Sequence, residues 1–229
     1  MEIPVYCDAR MRTPLLLLLV CLTVHSGHVD GPSFDCRKAA SPAEKAICGS
    51  AELSTLDSRM AAAWRRSTQI FAEAPALLVP LRNEQREWVG RRNACGASLN
   101  CLRNAYRQRT AVLEFRPVAE GAPADGFVGI FNHQGFMTAY IQRRDATSAR
   151  VLVEGAEPKT ARWTCHFAGI GTVRENRLEA TDPDTQSRLI LERDGDGIRI
   201  PDLDSNFAAN QANCGLNGGM NFTFRRARP

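Results

Sequence analysis

The chain has 229 residues, 44% of them hydrophobic and 24% charged, with 29 basic and 25 acidic side chains and a net charge of +4. That length suits one large or two small domains. Residues 27–116 carry a net +5 and residues 117–229 a net −1; a charge of that size spread along helices is a solvated face rather than a nucleic-acid site. Lys38, Lys45 and Lys159 are the only lysines, so the basic character is almost all arginine.

Residues 1–26 read as a secretory signal peptide. Arg10 and Arg12 precede a short apolar run from Leu15 to Leu22, and Val24 and Ser26 occupy the small-residue positions before a cleavage at Gly27. Met11 serves equally well as the start. The run is too short to span a bilayer, and no later stretch is long enough. Lipid attachment at Cys21 wants a small residue just before it; Val20 stands there, so simple cleavage and a periplasmic or secreted product are expected.

The six cysteines beyond that segment divide four and two. Cys36, Cys48, Cys95 and Cys101 lie where the apolar period is helical, and Cys165 and Cys214 where it is strand-like. An even count in an exported chain predicts three structural disulfides. Four cysteines allow three pairings, of which locality favours Cys36–Cys48 and Cys95–Cys101.

Residues 33–116 form the predicted helical domain. Ser41-Pro42-Ala43-Glu44 is a capping box with proline at the first helical position. A short helix follows to Cys48. A longer one from Ser50 places Leu53, Leu56, Met60, Trp64, Ser67 and Phe71 at spacings of three and four, and its pattern stops at Ala74-Pro75. A third carries Leu81, Gln85, Trp88, Arg92 and Cys95 and ends at Gly96. A fourth carries Leu99, Leu102, Tyr106, Arg109 and Leu113 and is closed by Pro117. The aromatic residues of these helices are expected in the core. Gln85 and Arg92 are expected to satisfy buried backbone groups or each other.

Phe34-Asp35-Cys36, Glu44 to Cys48, Leu53, Leu56-Asp57, Leu81 to Trp88, Arg92 to Cys95, Cys101-Leu102 and Tyr106 to Arg109 stand in an order and spacing that resembles the LprI-type lysozyme-inhibitor domain. The resemblance covers roughly residues 33–115. It implies a small, helical, disulfide-stapled domain of exported bacterial proteins, and for the named type it implies inhibition of lysozyme.

Residues 117–125 read as a linker of small and turn residues. Residues 126–229 are the predicted β domain, with strands near 127–131, 136–142, 149–154, 162–167, 177–180, 188–192, 197–200 and 220–224. Asn132 to Gly135 and Asp194 to Gly197 are hairpin turns by composition. The whole fold class is therefore α + β in two parts: an all-α stapled domain of about four helices, then a small antiparallel barrel or sandwich.

No cofactor or metal is expected. Asp194-Gly195-Asp196-Gly197 fails the register of a calcium loop in either frame, and Gly169-Ile170-Gly171 lacks the third glycine of a phosphate loop, so it reads as strand glycine. His28, His133 and His166 show no helical metal spacing. Cys165-His166 places neighbours on opposite faces of a strand, which argues against a thiol catalyst. The expectation is a non-enzymatic inhibitor of lysozyme-like muramidases that blocks the substrate cleft, with Arg82, Arg86, Arg91 and Arg92 or Asp194 and Asp196 as contact residues. The alternative is an envelope-binding or immunity protein that contacts peptidoglycan or a periplasmic partner.

Overall fold

The computed structural model describes residues 31–118 and 121–227. The signal segment, Met11, Cys21 and His28 lie outside the described residues. Five α-helices and eight strands follow in chain order: α1 (Pro42–Cys48), α2 (Ala51–Ile70), α3 (Pro75–Ala94), α4 (Leu99–Leu113), β1 (Gly129–His133), β2 (Met137–Arg143), β3 (Ser148–Ala156), β4 (Thr164–Arg174), β5 (Arg177–Thr181), β6 (Arg188–Asp194), β7 (Gly197–Arg199), α5 (Asp204–Asn213) and β8 (Thr223–Arg226).

The helical starts are written in the sequence. At α1 the Glu44 amide donates to the Ser41 hydroxyl at 3.2 Å, and the Ser41 amide donates to the Glu44 carboxylate at 2.9 Å. Ser50 caps α2 through the Leu53 amide, and Pro75 opens α3. Gly96, with φ +56°, follows the last turn of α3, the left-handed position that glycine takes at least cost. The side chains these helices bury include Ile47, Leu53, Met60, Leu77, Leu81, Trp88, Leu102 and Tyr106. Three disulfides join Cys36 to Cys48, Cys95 to Cys101 and Cys165 to Cys214; each such bridge contributes about 2–4 kcal/mol in a small domain.

The strands close into an antiparallel barrel in sequence order, β1 beside β8, so the sheet has no free edge. Met137, Ala139 and Ile141 of β2 point inward with Phe131, Phe167, Leu178, Leu191 and Phe224. Gly169 is a strand glycine for a steric reason: a Cβ there would lie 2.6 Å from the Thr181 carbonyl oxygen and 2.9 Å from the Phe167 ring. The β1–β2 turn has Gln134 and Gly135 at φ +49° and +82°, the paired left-handed geometry of a tight hairpin.

The helices lie against the outside of this barrel. Ile130, Tyr140, Leu152, Ala168 and Ile170, which face outward from β1 to β4, join the helical core. That explains why β3 is buried on both faces from Ser148 to Val153. Phe115 helps to close the seam. Its φ is +56° in the left-handed position after α4, where the Arg116 amide reaches back to the Ala111 carbonyl at 2.8 Å. A non-glycine residue in that region is strained; here the ring gains contacts with Phe71 and Tyr140, at centroid distances of 5.9 and 6.1 Å.

Three sequence expectations need amendment. Helix α5 occupies a stretch between the expected strands 197–200 and 220–224 for which no element is expected; its Asn206 is fully buried and bonds both backbone groups of Ile190, at 2.7 and 3.0 Å. Strand β4 runs to Arg174, seven residues beyond its expected end. Gln85 and Arg92 bond neither each other nor backbone: Gln85 meets side chains of α2 and α4, and Arg92 meets the Asn93 side chain of its own helix, at 3.1 and 2.8 Å, and Tyr106 of α4.

Candidate functional site

The α3–α4 junction is a stapled, exposed edge. Cys95 and Cys101 join its two sides, with a Cα separation of 5.6 Å. Between them Gly96 takes a left-handed φ, and the Gly96 and Ser98 amides bond the Asn93 and Cys95 carbonyls at 3.0 and 3.1 Å. Leu99 is 48% exposed beside the turn. A segment with its ends joined and its amides paired loses little conformational freedom on binding.

Behind the staple is a cavity of about 490 Å³, lined among others by Trp88, Arg91, Arg92, Arg109, Arg144 and the disulfide itself. Two of its arginines are exposed in part and two are buried. Arg91 is exposed and lies 3.6 Å from Glu87, and Arg144 lies 3.3 Å from Glu84. Arg92 is buried; it donates to the Tyr106 hydroxyl at 3.0 Å and stacks over the Trp88 ring at 5.8 Å.

The Arg92 contact belongs to a buried chain. Tyr106 donates in turn to Asp57 at 2.7 Å, and Asp57 also accepts from the Ser33 amide at 2.6 Å. Arg92 and Asp57 are 4.0 Å apart. Trp88 packs edge-on against Tyr106, 5.4 Å between centroids. This chain ties α2, α3, α4 and the segment before α1 into one unit directly under the stapled edge. Burial, and then the Asp57 carboxylate, push the Tyr106 hydroxyl above its ordinary value of 10.0. The folded state then binds that proton more tightly than the unfolded chain does. Its contribution is full below pH 10 and falls as pH rises above it. Replacing Tyr106 with phenylalanine is therefore expected to flatten the loss of stability above pH 10, read as urea midpoints of the two proteins across that range.

Arg109 and Gln85 form a second buried contact. The Arg109 Nε donates to Gln85 at 2.7 Å, and Gln85 reaches the Met60 sulfur. Burial pulls the Arg109 guanidinium down to about 10, so it stays cationic at neutral pH. Its Nη2 has no acceptor among the described residues.

A third set crosses the seam. Arg150 of β3 has no exposed surface; its Nη2 sits against the Glu84 carboxylate of α3 as an ion contact rather than an in-line hydrogen bond. Its Nη1 reaches Gln142 at 3.4 Å, and Gln142 donates to Ser67 of α2 at 2.7 Å.

The other expected contact residues are dispersed. Arg82 and Arg86 are exposed on α3, with Arg86 bonded to Asn83 at 2.6 Å. Arg92 belongs to the buried chain and does not stand free on that surface. Asp194 and Asp196 sit on the β6–β7 hairpin of the barrel, where Asp194 pairs with Arg225 at 3.1 Å; neither lines the arginine cavity. Cys165 is disulfide-bonded, and His166 faces outward 3.8 Å from Glu154. The His133 Nδ1 is 2.7 Å from the Thr223 carbonyl, and its ring stacks on Phe222. Among the described residues no group of three potential metal ligands converges, and no helix is long and apolar enough to cross a membrane.

The sequence reading missed Asp57 and Glu84 as network residues. Asp57 sits on the same helical spacing as Leu53 and Met60, which was the available signal. A second stapled turn lies on the barrel, at the third of the expected disulfides. There Leu216 is 88% exposed, Asn217 has φ +64°, and the Gly215 amide bonds the Thr164 carbonyl at 2.8 Å beside the Cys165–Cys214 bridge.

A family model described as lysozyme inhibitor LprI matches residues 36–113, about a third of the chain, which spans α1 to α4. No curated protein and no solved structure matches.

Proposed function

We propose, from the LprI-type lysozyme-inhibitor match over α1 to α4, that this chain is an exported, non-enzymatic inhibitor of lysozyme-like muramidases. It acts by occluding the substrate cleft. The observation that carries the reading is the rigid α3–α4 edge inside the matched segment, with Leu99 exposed on it and Arg91 at the mouth of the cavity behind it. A muramidase cleft works through two carboxylates. An arginine presented on a fixed edge offers them a planar, charge-assisted partner. The three disulfides fit the oxidising compartment in which such an enzyme is met.

The net charge of +4 acts against a cationic enzyme at long range. Association with such an enzyme is accordingly expected to speed up with added salt, while the close contacts, once formed, are screened less.

The test is a titration of the oxidised chain from Gly27 onward into a peptidoglycan-lysis assay, with animal and bacterial muramidases in parallel. Inhibition that saturates at one inhibitor per enzyme, and is lost when the disulfides are reduced, supports the proposal. A second reading rests on the arginine-rich helical face: binding to anionic wall polymers. It takes over if no muramidase is inhibited at micromolar protein while the chain binds cell walls in a salt-sensitive way.

A further inference from the structure

At the other end of α4 from the staple, the seam between helices and barrel opens into a second cavity, of about 550 Å³. Its apolar lining comes from Ala63 of α2, from Leu113 and Phe115 at the end of α4, and from Ile130 of β1. Phe115 is the residue held in the left-handed region, so backbone strain is stored in the wall of this hollow.

Three arginines other than that of β8, Arg59, Arg66 and Arg116, line the same space against one carboxylate, Glu114. Glu114 already serves two of them. It accepts from Arg59 through both oxygens at 2.9 Å and from Arg116 at 2.8 Å. Burial opposes its charge, and the two guanidinium groups outweigh burial and hold its carboxyl below the ordinary range. Arg226 of β8 borders the cavity too, but its guanidinium is turned to the inner face of the barrel, over the Phe131 ring at 4.7 Å and donating to the Val128 carbonyl at 3.0 Å. Arg66 has no ion pair among the described residues. The cavity therefore holds a local excess of two positive charges around an apolar surface, an arrangement of mutual repulsion that an entering anion relieves.

We propose that this cavity is a binding site for a small organic anion, a carboxylate carried on a compact apolar group. The carboxylate sits among the guanidinium groups, which match its geometry in pairs. The apolar group covers Leu113, Phe115 and Ile130. Two sources in a cell envelope supply that chemistry: the carboxyl-terminal alanine of a wall peptide and the free acid of an acyl chain. The site is independent of the inhibitory edge and stands whether or not a muramidase is inhibited.

Calorimetric titration of the oxidised chain from Gly27 onward tests it with four probes: acetyl-D-alanyl-D-alanine, its carboxamide, decanoate and inorganic phosphate. Saturable sub-millimolar binding of either acid, at least tenfold tighter than the carboxamide or phosphate, supports the site. A preference for the peptide assigns the wall source, and a preference for decanoate the acyl source. Arg66→Glu and Arg116→Glu change exposed side chains; each is expected to weaken binding by about tenfold or more while leaving the melting temperature close to that of the parent, as befits the loss of a charge-assisted contact. The proposal is overturned if neither acid saturates, if the carboxamide or phosphate binds as well as the acids, or if both variants bind like the parent.

Discussion

Replacing Asp57 with alanine is expected to cost about 3–5 kcal/mol of unfolding free energy, the usual result of leaving a buried ionic partner uncompensated. Asp57 is 2% exposed and Arg92 7%. Removing the carboxylate strands two donors, the Tyr106 hydroxyl and the Ser33 amide, and takes the counter-charge at 4.0 Å from the buried Arg92 guanidinium. Asparagine at the same position keeps one of the two accepting oxygens and so serves one of the two donors, the Tyr106 hydroxyl or the Ser33 amide, so its loss is expected to be smaller. Urea denaturation of the three proteins measures this. Equal stability of the alanine variant and the parent would mean that water or relaxation satisfies the site, contrary to the packing described.

The second large effect lies across the seam. Glu84→Ala leaves Arg150, with no exposed surface, facing α3 without its carboxylate, and a loss of about 3–5 kcal/mol is expected. Arg150→Met is expected to cost much less, because an apolar side chain of similar length suits the space between β3 and α3 and needs no partner. Gln142 keeps its bond to Ser67 in that variant. The asymmetry between the two partners is the test: each variant is unfolded in urea, and the double variant gives the coupling between them. If Arg150→Met is the more damaging change, the arginine contributes more than compensation for Glu84.

Both effects concern contacts that local pattern does not encode. The four helices and their caps were legible because each depends on residues within one turn, such as Ser41 and Glu44 or Gly96. The eight strands were legible because their inward positions alternate, as in Met137, Ala139 and Ile141. Helix α5 was not, because its asparagines and alanines give no apolar period and asparagine is a poor helix former. It is held instead by Asn206, whose side chain supplies Ile190 with the partners that the short strand β7 does not reach. The seam was hidden for a similar reason. Arg150 stands between Ala149 and Val151 as an outward-facing charge, which alternation assigns to solvent. Only the three-dimensional placement of α3 buries it. At the candidate site, Arg91 and Arg92 were picked out by position on α3, but adjacent residues on a helix face different ways. One became a surface group and the other a structural one.

The measurement that bears most directly on the inhibitory edge is the inhibition constant of the oxidised chain against a susceptible muramidase, compared among the parent, Arg91→Glu, Leu99→Glu and Leu216→Glu. All three substituted side chains are exposed, so the fold is expected to survive each change. The account predicts that Arg91→Glu and Leu99→Glu each weaken inhibition by about tenfold or more, the equivalent of about 1.4 kcal/mol, and that Leu216→Glu leaves it unchanged. Inhibition that survives both helical variants and is lost with Leu216→Glu would contradict it and move the inhibitory surface to the stapled turn of the barrel.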